Sequence, residues 1–227
     1  MKLLLFDIDG TLIHANGAGI QILVRALQDV FGTTGPVDSY DMGGKTDTRI
    51  ITDLMSAAAI PAPEIQSQLL TVFAQMVTYS QMLEGKVTLC PGVTPLLAAL
   101  QGRDDVLLGL LTGNTEQMAP LKIAAAGLDP SLFQVGAYGC QHYDRDQLPA
   151  LAMQRATHLA RQPIAGHDTL IIGDTPLDIQ CARAGGAKAV AVATGRYSTH
   201  TLNQYNPDFL FADLTDTTTI LEALDLF

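Results

Sequence analysis

Basic residues are scarce in this chain: 13 Lys and Arg stand against 23 Asp and Glu, a formal charge of −10 over 227 residues. A nucleic-acid surface needs clustered cations, and so does docking on an anionic membrane; neither partner is expected. Charged residues of all kinds make up only 16%. Cysteine is equally sparse. Cys90, Cys140 and Cys181 are widely spaced and form no CxxC pair, which excludes a disulfide framework and a zinc knuckle. Long apolar runs are missing too; none approaches the ~20 residues of a membrane span. The N-terminal run Leu3-Leu4-Leu5-Phe6 is broken by Asp7, too short for a secretory signal. These absences predict a soluble, cytoplasmic, reduced protein. Its 48% hydrophobic content suffices for one large domain, or a medium one carrying a smaller one.

Four short apolar runs, Lys2 to Phe6, Val106 to Leu111, Thr169 to Ile172 and Ala189 to Ala193, each close on turn residues. They read as buried parallel strands. Helical spacing fills the intervals at Val93 to Leu100, Thr115 to Ala126, Leu148 to Ala160 and Pro176 to Ala184. Alternating strand and helix predicts an α/β fold with a Rossmann-like parallel sheet as its core. Residues 15–85 break the rhythm. They contain no convincing strand, and Gly19 to Phe31, Thr46 to Ala59 and Glu64 to Leu83 have helical spacing. The expected organisation is a core of residues 1–14 and 86–227 with an inserted all-helical domain of residues 15–85.

Ligands of open parallel sheets bind at the carboxyl ends of the strands. Those ends carry Asp7 and Asp9, then Thr112, Gly113 and Asn114, then Asp174 with Asp178 four residues on. Carboxylates gathered at one edge repel unless a cation sits among them, and oxygen ligands of this kind suit Mg²⁺. A metal there also turns the edge from anion-repelling to anion-binding. Thr112 and the amides of Gly113 and Asn114 open the following helix, a ready site for phosphate.

Asp7-Ile8-Asp9-Gly10-Thr11, Leu111-Thr112-Gly113-Asn114 and Ile172-Gly173-Asp174-Thr175-Pro176-Leu177-Asp178 together resemble the haloacid dehalogenase-like (HAD) hydrolase superfamily. The order of the motifs and the insertion after the first are similar to its helical C1-cap branch, with phosphoglycolate phosphatase-like and β-phosphoglucomutase-like members. The resemblance implies a Mg²⁺-dependent phosphatase acting on a small phosphorylated metabolite through an aspartyl-phosphate. Asp7 would be the nucleophile and Asp9 the general acid and base, its backbone carbonyl also reaching the metal. Asp7 and Asp174 would bind the metal, Asp178 would support it, and Thr112, Gly113 and Asn114 would hold the phosphoryl oxygens. An acid at Asp9 favours phosphorus chemistry, since attack on a haloalkyl carbon needs none.

The family also supplies a cation that clamps the phosphate, normally in a Lys-Pro-x-Pro context absent here. Lys122 falls inside a helix, and Lys188 begins a strand, at the wrong end of the sheet. Arg145, about four residues before a proline-started helix, is the expected clamp. Gly43-Gly44-Lys45-Thr46 mimics the end of a P-loop, but Ser39 stands where that motif needs glycine. It reads instead as a loop or helix start of the inserted domain, with Lys45 and Arg49 as candidate substrate contacts; His14, seven residues past Asp7 where the chain enters the insertion, is another. Gly17-x-Gly19 lacks the third glycine of a dinucleotide fingerprint and reads as a hinge. Two rival readings share these motifs: a phosphomutase on the same scaffold, and a non-catalytic phospho-accepting receiver or binding module. A receiver needs neither the insertion nor an acid at Asp9.

Overall fold

The structure, a computed structural model, describes residues 1–226. Six parallel strands form the main sheet: β1 (Lys2–Phe6), β4 (Val106–Thr112), β5 (Val135–Tyr138), β6 (Thr169–Gly173), β7 (Lys188–Val192) and β8 (Phe209–Phe211). A two-residue pair, β2 (Ile13–His14) and β3 (Thr88–Leu89), stands apart as an antiparallel bridge. The sheet order is β5-β4-β1-β6-β7-β8, so β1 lies centrally, flanked by β4 and β6. The α/β class and parallel sheet agree with the sequence reading.

Burial explains why these runs are strands. Leu3, Leu4, Leu5 and Phe6 are all at most 1% exposed, so both faces of β1 are covered. Alternate residues enter separate cores. Leu3 and Leu5 pack with Leu107, Leu111 and Ile171 beneath α6 (Leu148–Ala160) and α7 (Pro176–Ala184). Leu4 and Phe6 pack with Leu108, Leu110 and Ile172 on the other face. Two strands of the main sheet, like the short β2 and β3, went unread in the sequence. Val-Gly-Ala-Tyr in β5 and Phe-Leu-Phe in β8 are too short to show a period.

The segment after β2 is helical, as expected: α1 (Ala18–Phe31), α2 (Asp47–Ala57) and α3 (Ala62–Thr78). Each is amphipathic. Ile22, Ala26 and Leu27 of α1, Ile51 and Leu54 of α2, and Val72 and Phe73 of α3 face one another. This apolar centre is continuous with the Leu4 and Phe6 face of the sheet. The remaining helices are α4 (Val93–Leu100), α5 (Met118–Ala125), α8 (Thr199–Asn203) and α9 (Thr217–Ala223). No helix among the described residues is long and apolar enough to cross a membrane.

Candidate active site

Adjacent strands β4, β1 and β6 bring Thr112, Asp7 and Asp174 to one edge. The Asp7 amide donates to Ile172 O at 2.9 Å, extending the ladder one residue beyond β1. Asp174 is wedged between two glycines. Side chains at Gly10 (φ 87°) or Gly195 would collide with its carboxylate. Thr11 Oγ1 donates to Asp174 Oδ1 at 3.2 Å. Asp178 closes a capping box: its Oδ2 accepts from the Thr175 amide at 2.9 Å and from Thr175 Oγ1 at 2.7 Å. Pro176 starts α7 and fixes the entry of that chain.

Among the described residues, Asp7, Asp174 and Asp178 place ligand oxygens within 4.8 Å of one another, all three buried. Arg145 lies against them, in a 3-10 turn just before α6. Its Nη2 is 3.3 Å from Asp7 Oδ1 and donates to Asp178 Oδ1. Nη1 donates to Gly44 O at 3.1 Å, so the same guanidinium ties the helical segment to the core. Three carboxylates thus face one cation. Burial, reinforced by Asp178 and Asp7, pushes Asp174 up to about 8. Burial also lifts Asp7 to about 6, against the pull of Arg145. An all-oxygen, electron-rich, anionic cluster of this kind matches the donor preference of a hard divalent cation.

A second group of side chains lies beside the first. Asp9 Oδ2 accepts from Asn114 Nδ2 at 2.8 Å and from Lys122 Nζ at 2.6 Å. Asn114 Nδ2 also donates to Thr112 Oγ1 at 2.9 Å. Lys122 lies within α5, as the sequence predicts, but its pairing with Asp9 was not foreseen. It lies on the face of α5 turned toward Asp9, and its side chain is only 8% exposed. Lys188 is exposed at the opening of β7, at the opposite end of the sheet, as expected.

Asp47 was missed. Thr46 caps α2, and an acid in a first turn looks like ordinary helix chemistry. Here that first turn is pressed onto the core. The amides of Asp47 and Thr48 donate to Gly113 O (2.7 Å) and Gly139 O (3.3 Å), which satisfies donors a helix start leaves open. Asp47 Oδ2 accepts from the Thr115 amide at 2.9 Å. Burial pushes the Asp47 carboxyl up to about 6, opposed by Lys122.

Except for Asp178, which lies behind them, the two groups line one cavity of about 820 Å³ between the helical segment and the sheet edge. Gly113, Lys45 and His14 also line it. Lys45 Nζ lies 3.9 Å from the Tyr40 ring centroid, and His14 Nε2 is 3.5 Å from Cys90 Sγ. Arg196, not foreseen, lines it as well and reaches Asp41 at 2.6 Å. Arg49 is a correction: it lies outside this cavity, over the Tyr143 ring (5.6 Å) and 3.6 Å from Asp53.

Comparison with known proteins agrees with this architecture. A HAD-hydrolase-like family model matches residues 149–217. The phosphoglycolate phosphatase of Synechococcus elongatus is 30% identical, over 95% of both chains. Pyrophosphatase PpaX of Bacillus pumilus is 23% identical, over 96% of this chain and 95% of its own. The crystal structure of a predicted phosphoglycolate phosphatase from Haemophilus somnus superposes with a TM-score of 0.69 at 22% identity, covering 97% of each chain. With three strand-end motifs at one edge and relatives similar along its whole length, this chain belongs to the haloacid dehalogenase-like hydrolase superfamily, as one of its phosphatases.

Proposed function

We propose that this phosphatase is Mg²⁺-dependent and hydrolyses a small phosphorylated metabolite, phosphoglycolate being the first to test because a relative similar over the whole chain is named for it. The observation that carries the reading is Asp7, a buried carboxylate at the tip of the central strand, clustered with Asp174 and Asp178 and reached by the Arg145 guanidinium that also contacts Asp178. Asp7 attacks phosphorus and becomes an aspartyl-phosphate as the P–O ester bond breaks. Asp9 gives its proton to the leaving oxygen and then takes one from the water that attacks the phospho-enzyme. Thr112, the Gly113 and Asn114 amides and Arg145 hold the phosphoryl oxygens.

Asp7, Asp174 and the Asp9 backbone carbonyl would hold the metal, with Asp178 supporting it. The fit rests on the cluster itself: three buried carboxylates with a single guanidinium, one of them wedged between glycines with no room for a side chain. When bound, Mg²⁺ supplies positive charge that offsets the phosphoryl oxygens as charge builds on them.

Residues 15–85 act as the cap over residues 1–14 and 86–227. Its loop residues Gly44 and Lys45 touch Arg145 and Gly113, so seating the cap encloses the phosphate subsite and excludes bulk water. Lys45 and His14 face the space left for the rest of the substrate.

The decisive experiment is phosphate release from a panel of metabolite phosphates, with Mg²⁺ and with excess EDTA, for the wild type and Asp7→Asn. Free phosphate should appear only from the wild type with metal. Activity in Asp7→Asn, or undiminished activity in EDTA, would overturn the mechanism. An isomeric sugar phosphate in place of free phosphate would make the enzyme a mutase.

A further inference from the structure

We propose that Lys122 is a positioning residue for proton transfer: it anchors one oxygen of Asp9 so that the other is left to carry the proton. The inference rests on the role given to Asp9 above. Lys122 is a lysine of the core helix α5 with its side chain 8% exposed, placed where burial of an ammonium is costly unless it is paired. Its partner is Asp9 Oδ2, at 2.6 Å. Asn114 Nδ2 donates to the same oxygen, at 2.8 Å. Among the described hydrogen bonds none reaches Asp9 Oδ1. Two donors on Oδ2 make it the acceptor end of the carboxyl group and assign the transferable proton to Oδ1. They also hold a short, half-exposed side chain in one orientation, which proton transfer in a transition state requires.

The cap confines the anchor. A side chain on Gly19, at the start of α1, would come within 3.1 Å of Lys122 Nζ, so the ammonium lies directly against cap backbone. Asp47, on the second cap helix, adds a negative charge facing the same ammonium. Lys122 therefore sits at the junction of the acid–base group and the first two cap helices. Seating the cap fixes Lys122, and Lys122 fixes Asp9. Chemically, the proton on Oδ1 passes to the ester oxygen as the P–O bond breaks, and the carboxylate so formed later recovers a proton from the attacking water; Lys122 keeps its own protons throughout.

The test is a leaving-group series. Substituted phenyl phosphates, from nitrophenyl to unsubstituted phenyl, need progressively more help from an acid as the leaving phenol becomes more basic. With Mg²⁺ present, kcat/KM is measured across the series for the wild type, Lys122→Met, Lys122→Arg and Asp9→Asn. In Lys122→Met the loss should grow along the series, from less than about tenfold on nitrophenyl phosphate to about 100-fold on phenyl phosphate, within the usual contribution of a general acid. Lys122→Arg should restore part of the loss on the phenyl ester. A merely structural role would lower every substrate by the same factor. A uniform loss, or an unchanged kcat/KM on phenyl phosphate, overturns the inference. Should Lys122→Met fail to fold, Lys122→Gln and Gly19→Ala, which crowds the ammonium, must show the same graded loss. If Asp9→Asn retains wild-type turnover of phenyl phosphate, the role of Asp9 itself is wrong; if Asp9→Asn is inactive and Lys122→Met is not graded, only the role of Lys122 is.

Discussion

The Asp47 carboxylate, on the first turn of α2, accepts a hydrogen bond at 2.9 Å from the Thr115 amide at the sheet edge. One backbone amide of the proposed phosphate-binding turn is thereby satisfied by the helical segment rather than by the sheet. This contact is buried, so its charge state matters to stability. Burial places the folded Asp47 carboxyl at about 6, above the ordinary 3.8. The folded state thus binds the proton more tightly than the unfolded chain. Stability from this residue is lost as pH rises from about 4 through about 6, by up to about 3 kcal/mol. Asp47→Asn keeps an oxygen acceptor and removes the titration. Thermal melting between pH 4 and pH 7 should show a smaller decline in the variant than in the wild type. Parallel curves would rule the effect out.

Mg²⁺ should stabilise the protein and should compete with protons. In the metal-free protein Asp174 titrates at about 8, raised by burial and by Asp178 and Asp7. Below that pH a bound cation must displace a proton, so the apparent affinity should weaken as pH falls. At a hundredfold excess over Kd the gain is about 2.7 kcal/mol, visible as a rise in Tm. Calorimetric titration at pH 8.5 and pH 6.5 should give tighter binding at the higher pH. Asp174→Asn should lose most of the Tm rise.

Arg145 is the buried counter-charge of Asp7 and Asp178. Replacing it with Met leaves those carboxylates uncompensated, at a cost of about 3–5 kcal/mol. Denaturant unfolding without metal should show that loss. Added Mg²⁺ should then recover more stability in Arg145→Met than in the wild type, because the cation takes over part of the same role. Catalysis should not recover with it, since in the proposed mechanism the guanidinium also holds the phosphoryl group.

Gly113 abuts the Lys45 carbonyl so closely that an added side chain would collide with backbone. Gly113→Ala should keep the cap from seating. A rise in KM together with a fall in kcat is expected, of about 100-fold or more in kcat/KM, as for misplacement by about 1 Å. The core should still melt cooperatively. Wild-type kinetics in this variant would show that the observed closeness of cap and core is not needed for turnover.

Much of this molecule could be read in order along the chain. The strands β1, β4, β6 and β7 are short apolar runs ended by turn residues, and α4, α6 and α7 match their predicted bounds because proline or glycine punctuates them. Asp7, Thr112 and Asp174 were legible because each ends such a strand. Arg145 was located by its register before Pro149, and it does lie against Asp7. Lys122, Asp47 and Arg196 carried no such signal. Each sits on an element whose local sequence looks ordinary, and each is drawn into the site by contacts between segments far apart in the chain.

The sequence alone determined the alternation of elements, the helical insertion and the residues at the strand ends, because periodicity and turn chemistry act over a few residues. Tertiary structure decided the strand order that sets β4, β1 and β6 side by side, the pairing of Lys122 with Asp9, and the docking of Asp47 on Thr115. It also removed Arg49 from the cavity. Those outcomes depend on which faces are buried against which, and on where a buried charge finds its partner. Burial and electrostatic pairing are properties of the packed chain, not of any local stretch of it.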